Sequence, residues 1–141
     1  MIFKRLNRTS PEQVFVVMQA NESGIAADDV VALEDSSPDG VKIQQPTTAT
    51  LSAIVGVADA AIANGAYGLV QVYGYRSTSR IQVTSSQSAF MNLKPVTAAD
   101  FFISEPPLAG SGIIQPSFIC LESIADQSGS TVSRKIFIRC M

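Results

Sequence analysis

The hydrophobic positions of this chain fall in many short runs, and where a period can be read it is two. Residues 13–20 (QVFVVMQA) are β-branched and apolar and follow Pro11, which predicts a strand. Residues 29–33 form a shorter run, closed by the turn formers EDSSPDG at 34–40. Val41 and Ile43 then alternate with Lys42 and Gln44, the pattern of a half-buried strand. Residues 80–84 (RIQVT) and 100–104 (DFFIS) predict two more strands, while 89–93 is ambiguous. On a regular pleat the adjacent Phe101 and Phe102 point to opposite faces. The prolines and glycines of residues 105–112 (EPPLAGSG) forbid a ladder and mark a loop. Residues 117–124 and 131–140 predict the closing strands, joined by a reversal at 125–130. On the last of these, Ile136, Ile138 and Cys140 share one face, and Lys135, Phe137 and Arg139 share the other.

The apolar stretch at residues 54–74 (IVGVADAAIANGAYGLVQVYG) admits several readings. A membrane span would bury Asp59, Asn64 and Gln71 in hydrocarbon, so that reading fails. Its glycines fit neither GxGxxG nor GxxxxGK[ST], and no lysine lies near to meet a phosphate. Residues 51–57 and 69–75 are strand-like at either end. Residues 59–64 are alanine-rich and compatible with one helical turn, and Asn64-Gly65 supplies a reversal. The stretch therefore reads as strand, short turn or helical corner, strand. Gly56, Gly68 and Gly74 then mark bulges or close backbone approach, where a Cβ would collide.

So many strands with so little helical periodicity predict an all-β fold: a compact, mostly antiparallel sandwich or partly open barrel with at most one short helix. At 141 residues the length is that of one domain able to bury a core. Residues 1–10 read as an N-terminal arm and residues 11–141 as a single β domain. A hairpin turn near Gln127 and Ser128 puts Cys120 opposite Lys135, about five residues short of Cys140, beyond disulfide reach. Both thiols are expected free, packed as small core or edge side chains. MIFKRL opens with charge and no apolar run follows, so synthesis in a reducing cytoplasm without a secretory signal is expected.

The chain contains no histidine, which removes the commonest general base, the commonest transition-metal ligand and every Ser-His or Cys-His pair. The lysines at 4, 42, 94 and 135 form no SxxK motif with the many serines. Adjacent carboxylates at Asp28-Asp29 and Glu34-Asp35 point to opposite faces if they lie on strands, so neither pair converges on a bond. The acidic run at 35–40 lacks the calcium-loop spacing and its terminal glutamate, and reads as an exposed turn. Arg76 and Arg80 near Tyr73 and Tyr75 suggest base stacking, but two arginines in a chain of net charge −2 are too few for the electrostatic term that binding needs. No enzyme activity, cofactor, metal, nucleic acid or membrane partner is expected.

What remains suits a surface that meets other protein. Charged residues make up 16% of the chain, against a usual share of about 25%, and a sparsely charged chain hides surface in a core or an assembly. Residues 1–10 combine Ile2, Phe3 and Leu6 with the cations Lys4, Arg5 and Arg8 before Pro11 breaks the pattern. They read as a fraying terminus or as an arm that orders on a partner. Phe101, Phe102 and the loop residues Pro106, Pro107 and Leu108 offer rigid apolar groups for a neighbour or for the core.

With Ile54-Val-Gly-Val-Ala58, an alanine-rich corner and Gly65-Ala-Tyr-Gly-Leu-Val-Gln-Val-Tyr-Gly74, the chain resembles a family of bacteriophage capsid decoration, or cement, proteins. The resemblance covers about 25 residues by the alignment of these short glycine-valine patterns. It implies a small β domain that binds the outside of an expanded capsid in many copies and bridges neighbouring capsid subunits. The partners would be the major capsid protein and other copies of the chain, often as a trimer. The place would be the virion surface after synthesis in the host cytoplasm. Two alternatives stand beside it: a low-copy virion component such as a head-fibre base or tail adaptor, and a glycan-binding β-sandwich stacking sugar on Tyr67, Tyr73 and Tyr75.

Overall fold

The computed structural model describes residues 11–21, 24–36, 38–83, 85–96, 102–105, 118–126 and 129–140. Among them the chain is all-β: β1 (Gln13–Ala20), β2 (Val30–Leu33), β3 (Lys42–Gln44), β4 (Ile54–Ala58), β5 (Tyr67–Arg76), β6 (Arg80–Gln82), β7 (Asn92–Pro95), β8 (Phe102–Glu105), β9 (Phe118–Cys120), β10 (Thr131–Ser133) and β11 (Ile136–Arg139). The strands neighbour one another in the order β1-β3-β2-β4-β5-β11-β9-β7-β8-β6-β10, and β1 also pairs with β5. That extra pairing closes the first five into a ring. The pairings are antiparallel except β1 with β3 and β6 with β8.

β5 joins the two halves. One of its edges carries β1 along Gln13–Gln19, while the other carries β4 at Val70 and Gln71 and then β11 from Tyr73 to Arg76. The core lies in two clusters. Val70 and Val72 turn into the ring with Met18, Val31, Ile43, Ala58 and Ile62. The outer side of the ring, through Val30 and Val57, packs against Ile81, Leu93, Phe102, Phe118, Ile136 and Ile138 of the second half. The rings of Phe102 and Phe118 stack there with centroids 4.5 Å apart.

The stretch at 54–74 is β4, a corner and the first eight residues of β5. The corner is not helical. Ile62 exchanges backbone hydrogen bonds with Ile25 at 2.8 and 2.9 Å, which takes its amide and carbonyl away from any helical ladder. Gly65 then turns the chain at φ 74°. The glycine expectation holds in detail. β4 sits so close to β5 that a Cβ on Gly56 would strike the backbone carbonyl of Gln71, and one on Gly68 would meet the Ile62 side chain. Gly74 has φ 101°, next to the irregular register between Val14 and Phe15, and a Cβ there would run into the carbonyl of Glu12.

The expected strand at 131–140 divides in two. Arg134 donates its amide to Ser79 O at 3.0 Å and Lys135 O accepts from Leu121 at 2.9 Å, so the strand changes partners there. β10 lies on β6, and β11 lies between β5 and β9. Cys120 pairs with Ile136, one residue from the expected position, and both cysteines are free thiols.

Candidate functional site

The arginines near the tyrosines are bound inside the fold. Arg76 is buried at the junction of the two halves, where its guanidinium donates to Asp28 Oδ1 at 2.6 Å, Asp59 Oδ1 at 3.2 Å, Gln71 Oε1 at 3.2 Å and Ala58 O at 2.9 Å. Thr78 donates to the same Asp28 oxygen at 2.8 Å, and Asp28 is held at φ 68°. Arg80 reaches Asp29, which is buried and also accepts the amide of Ala26 at 2.8 Å. Asp28 and Asp29 thus diverge onto separate arginines as a clamp between segments. Asp29 and Glu34 are buried acceptors satisfied by local amides; Ser36 supplies one to Glu34 at 2.9 Å.

The remaining titratable groups work locally. Backbone amides of Val41 and Lys42 hold the Asp39 carboxyl below its ordinary value. The hydrogen bond from Lys135 does the same for Glu122 and raises the lysine in return. Burial pushes the Cys120 thiol up, and pushes Cys140 to about 12, so neither supplies a thiolate near neutral pH. Among the described residues no group of three or more acidic or cysteine side chains is placed to hold a metal ion.

The surface chemistry is apolar. Val17 on β1 pairs with Leu69 on β5, and Gln19 pairs with Tyr67, so these side chains share the outer face of the ring. Val17 and Tyr67 are 61% and 63% exposed, a contiguous apolar patch at the end of the ring not covered by the second half. Phe90, in the turn between β6 and β7, is 76% exposed and held at φ 66°, a backbone region costly for a side chain of that size.

On the inner side of β1 lies a cleft of about 380 Å³ lined by Val16, Met18, Leu33, Ile54, Val72 and Cys140. Its presence follows from strand lengths. β3 pairs with β1 only at Gln19 and Ala20, so among the described residues no strand lies on that side of the first six residues of β1.

Of the residues proposed from sequence as contacts, the structure places Phe102 in the core between the two halves, fully buried against Phe118. Ile2, Phe3, Lys4, Arg5, Leu6, Arg8, Phe101, Pro106, Pro107 and Leu108 lie outside the described residues. The three tyrosines do not form one platform. Tyr67 and Tyr75 stand eight residues apart on β5, about 26 Å at the rise of a strand, and Tyr73 packs edge-on to Phe137 with centroids 5.5 Å apart. Val17, Leu69 and Phe90 had no sequence signal as surface groups, because strand alternation alone does not say which face is left uncovered.

No family model matches the chain, and no curated protein does. Among solved structures, the fold is that of the head fiber gp8.5 N base of bacteriophage phi29. The two agree with a TM-score of 0.52 at 15% identity, over 92% of this chain and 96% of that one. The likeness takes in both halves and defines a shared all-β architecture.

Proposed function

We propose that this chain is a structural component of a phage virion, a β module that docks on the head and carries an appendage in the manner of a head-fiber base. The observation that supports it most is the correspondence of almost the whole chain with almost the whole of the phi29 head fiber gp8.5 N base. The surface agrees with that role. Arg76, Asp28 and Asp29 are consumed in internal clamps, and what is offered outward is Val17, Tyr67, Leu69 and Phe90, groups suited to burial against another protein.

A second reading, a many-copy decoration protein, is favoured by the glycine-valine pattern of residues 54–58 and 65–74. In that role the chain would stabilise the shell by mass action, binding the assembled surface and not its separate subunits. Bridging two subunits would add avidity without any new contact. Immunogold labelling of gradient-banded particles tests the shared claim. Gold on the heads is expected; gold on the tails, or none, would overturn it.

A further inference from the structure

Phe90 stands where the backbone asks for glycine. It donates its amide to Cys120 O at 2.8 Å, while Met91 O accepts from Cys120 N at 2.9 Å, so two residues oppose one and the chain bulges there. The first position of such a bulge takes a left-handed backbone that glycine adopts freely and that Phe90 holds at φ 66°. The ring gains little within its own chain in exchange, being 76% exposed. Backbone strain of this kind collects at sites that clamp a ligand or a partner. Residues 85–93 carry no charge, so the ring is presented on a neutral turn.

We propose that Phe90 is the knob of a contact between copies of this chain, seated in the cleft beside β1 of a second copy. The cleft suits it in size and chemistry. An apolar cavity of about 150 Å³ holds benzene, and this one measures about 380 Å³, which takes the ring and part of the turn behind it. Leu33, Ala53, Val55 and Val72 are among its lining residues, and none of the described residues that line it is charged. The ring does not reach the cleft of its own chain. Phe90 lies beside Cys120, which is opposite Ile136 on β11, whereas the cleft begins at Cys140. That is four residues along the strand, about 13 Å, and two strand spacings aside, about 10 Å, beyond the span of one side chain. Knob and cleft are different patches, so the contact is head-to-tail, and each copy gives one and receives one. Its area sets its strength. A seated ring and the wall facing it bury about 400 Å² together, against about 1,200 Å² for a stable pair, so association is weak and rises with concentration. The proposal stands apart from the virion reading.

Sedimentation velocity of the full chain up to about 1 mM tests it, beside methyl NMR spectra of the cleft residues Leu33 and Val55 over the same range. The chain should associate as its concentration rises, with shifts at both methyl groups. Phe90→Gly should keep the fold, weaken association at least about 10-fold and abolish the shifts. Ala53→Phe, which fills the cleft, should weaken association equally. A mixture of these two variants should stop at a heterodimer, because one keeps only the cleft and the other only the knob. Should Ala53→Phe not fold, the comparison of the unaltered chain with Phe90→Gly decides by itself. A chain that stays monomeric at about 1 mM would overturn the proposal, and shell binding lost in Phe90→Gly would then assign the ring to a pocket of a shell protein. Association that survives Phe90→Gly, or that leaves Leu33 and Val55 unshifted, would also overturn it, because another surface would then join the copies.

Discussion

Replacing Arg76 by methionine keeps the reach of the side chain and deletes its charge at the junction of the two halves. The magnitude can be worked from its partners. Gln71 is fully buried, and its Oε1 would lose the guanidinium, an orphaned acceptor worth about 1–2 kcal/mol. Asp28, whose side chain is 26% exposed, would lose two charge-assisted bonds and keep Thr78, another loss of about 1–2 kcal/mol. Asp59 is 45% exposed and its pair with Arg76 adds little after solvent screening. The Ala58 carbonyl still accepts the Asp28 amide, so it is not orphaned. Relief of the buried guanidinium's own desolvation offsets part of the sum. The expected net loss is about 2–3 kcal/mol, which for a domain of this length lowers Tm by about 7–10 °C. Urea unfolding of Arg76→Met, Asp28→Asn and the double variant measures it, and the cycle should return a coupling of about 1 kcal/mol or more. A single-variant loss below about 0.5 kcal/mol would refute the reasoning that Arg76 clamps the Asp28 turn and the end of β4 to β5.

Gly56→Ala should destabilise by more than about 3 kcal/mol or prevent folding, because its Cβ meets the Gln71 backbone; Gly65→Ala, in open space at φ 74°, should lose only about 1 kcal/mol in the same urea assay. Phe90→Gly should raise the stability of the isolated chain by about 0.5–1 kcal/mol, since the side chain is mostly exposed and relief of the left-handed backbone, about 1–2 kcal/mol, exceeds the unfolded-state entropy that glycine adds. For pH, Asp39 and Glu122 have folded-state values below their ordinary ones, so their contributions are present above the unfolded values and are lost as pH falls through the folded ones. Asp39→Asn with Glu122→Gln should therefore shrink the fall in Tm between about pH 6 and about pH 3, read by circular dichroism.

β1 was legible because an unbroken β-branched run needs only local alternation, and its bounds fall where the sequence placed them. The glycines at 56, 68 and 74 were legible for a related reason: interrupting an apolar strand with glycine leaves close approach as the physical gain. The corner at 59–64 stayed open between turn and helix, and what decided it was Ile25, a residue 37 positions away whose backbone pairs with Ile62. The arginine clamp was illegible for the same reason on a larger scale. Arg76 and Asp28 lie 48 residues apart, and nothing local to either shows that the ring brings them to 2.6 Å. The exposed face at Val17 and Leu69 was hidden too. Alternation marks two faces of a strand, and only the packing of the second half against the ring shows which part is left bare.

The most direct measurement is the copy number of the chain in particles banded on a density gradient, quantified against the major shell protein. A structural virion protein must be present at a fixed ratio that survives repeated banding and is the same in every preparation. A ratio near one per shell subunit would select the decoration reading, and a small fixed fraction would select the head-fiber base. A chain absent from banded particles, or washed away from them in proportion to dilution, would contradict the account.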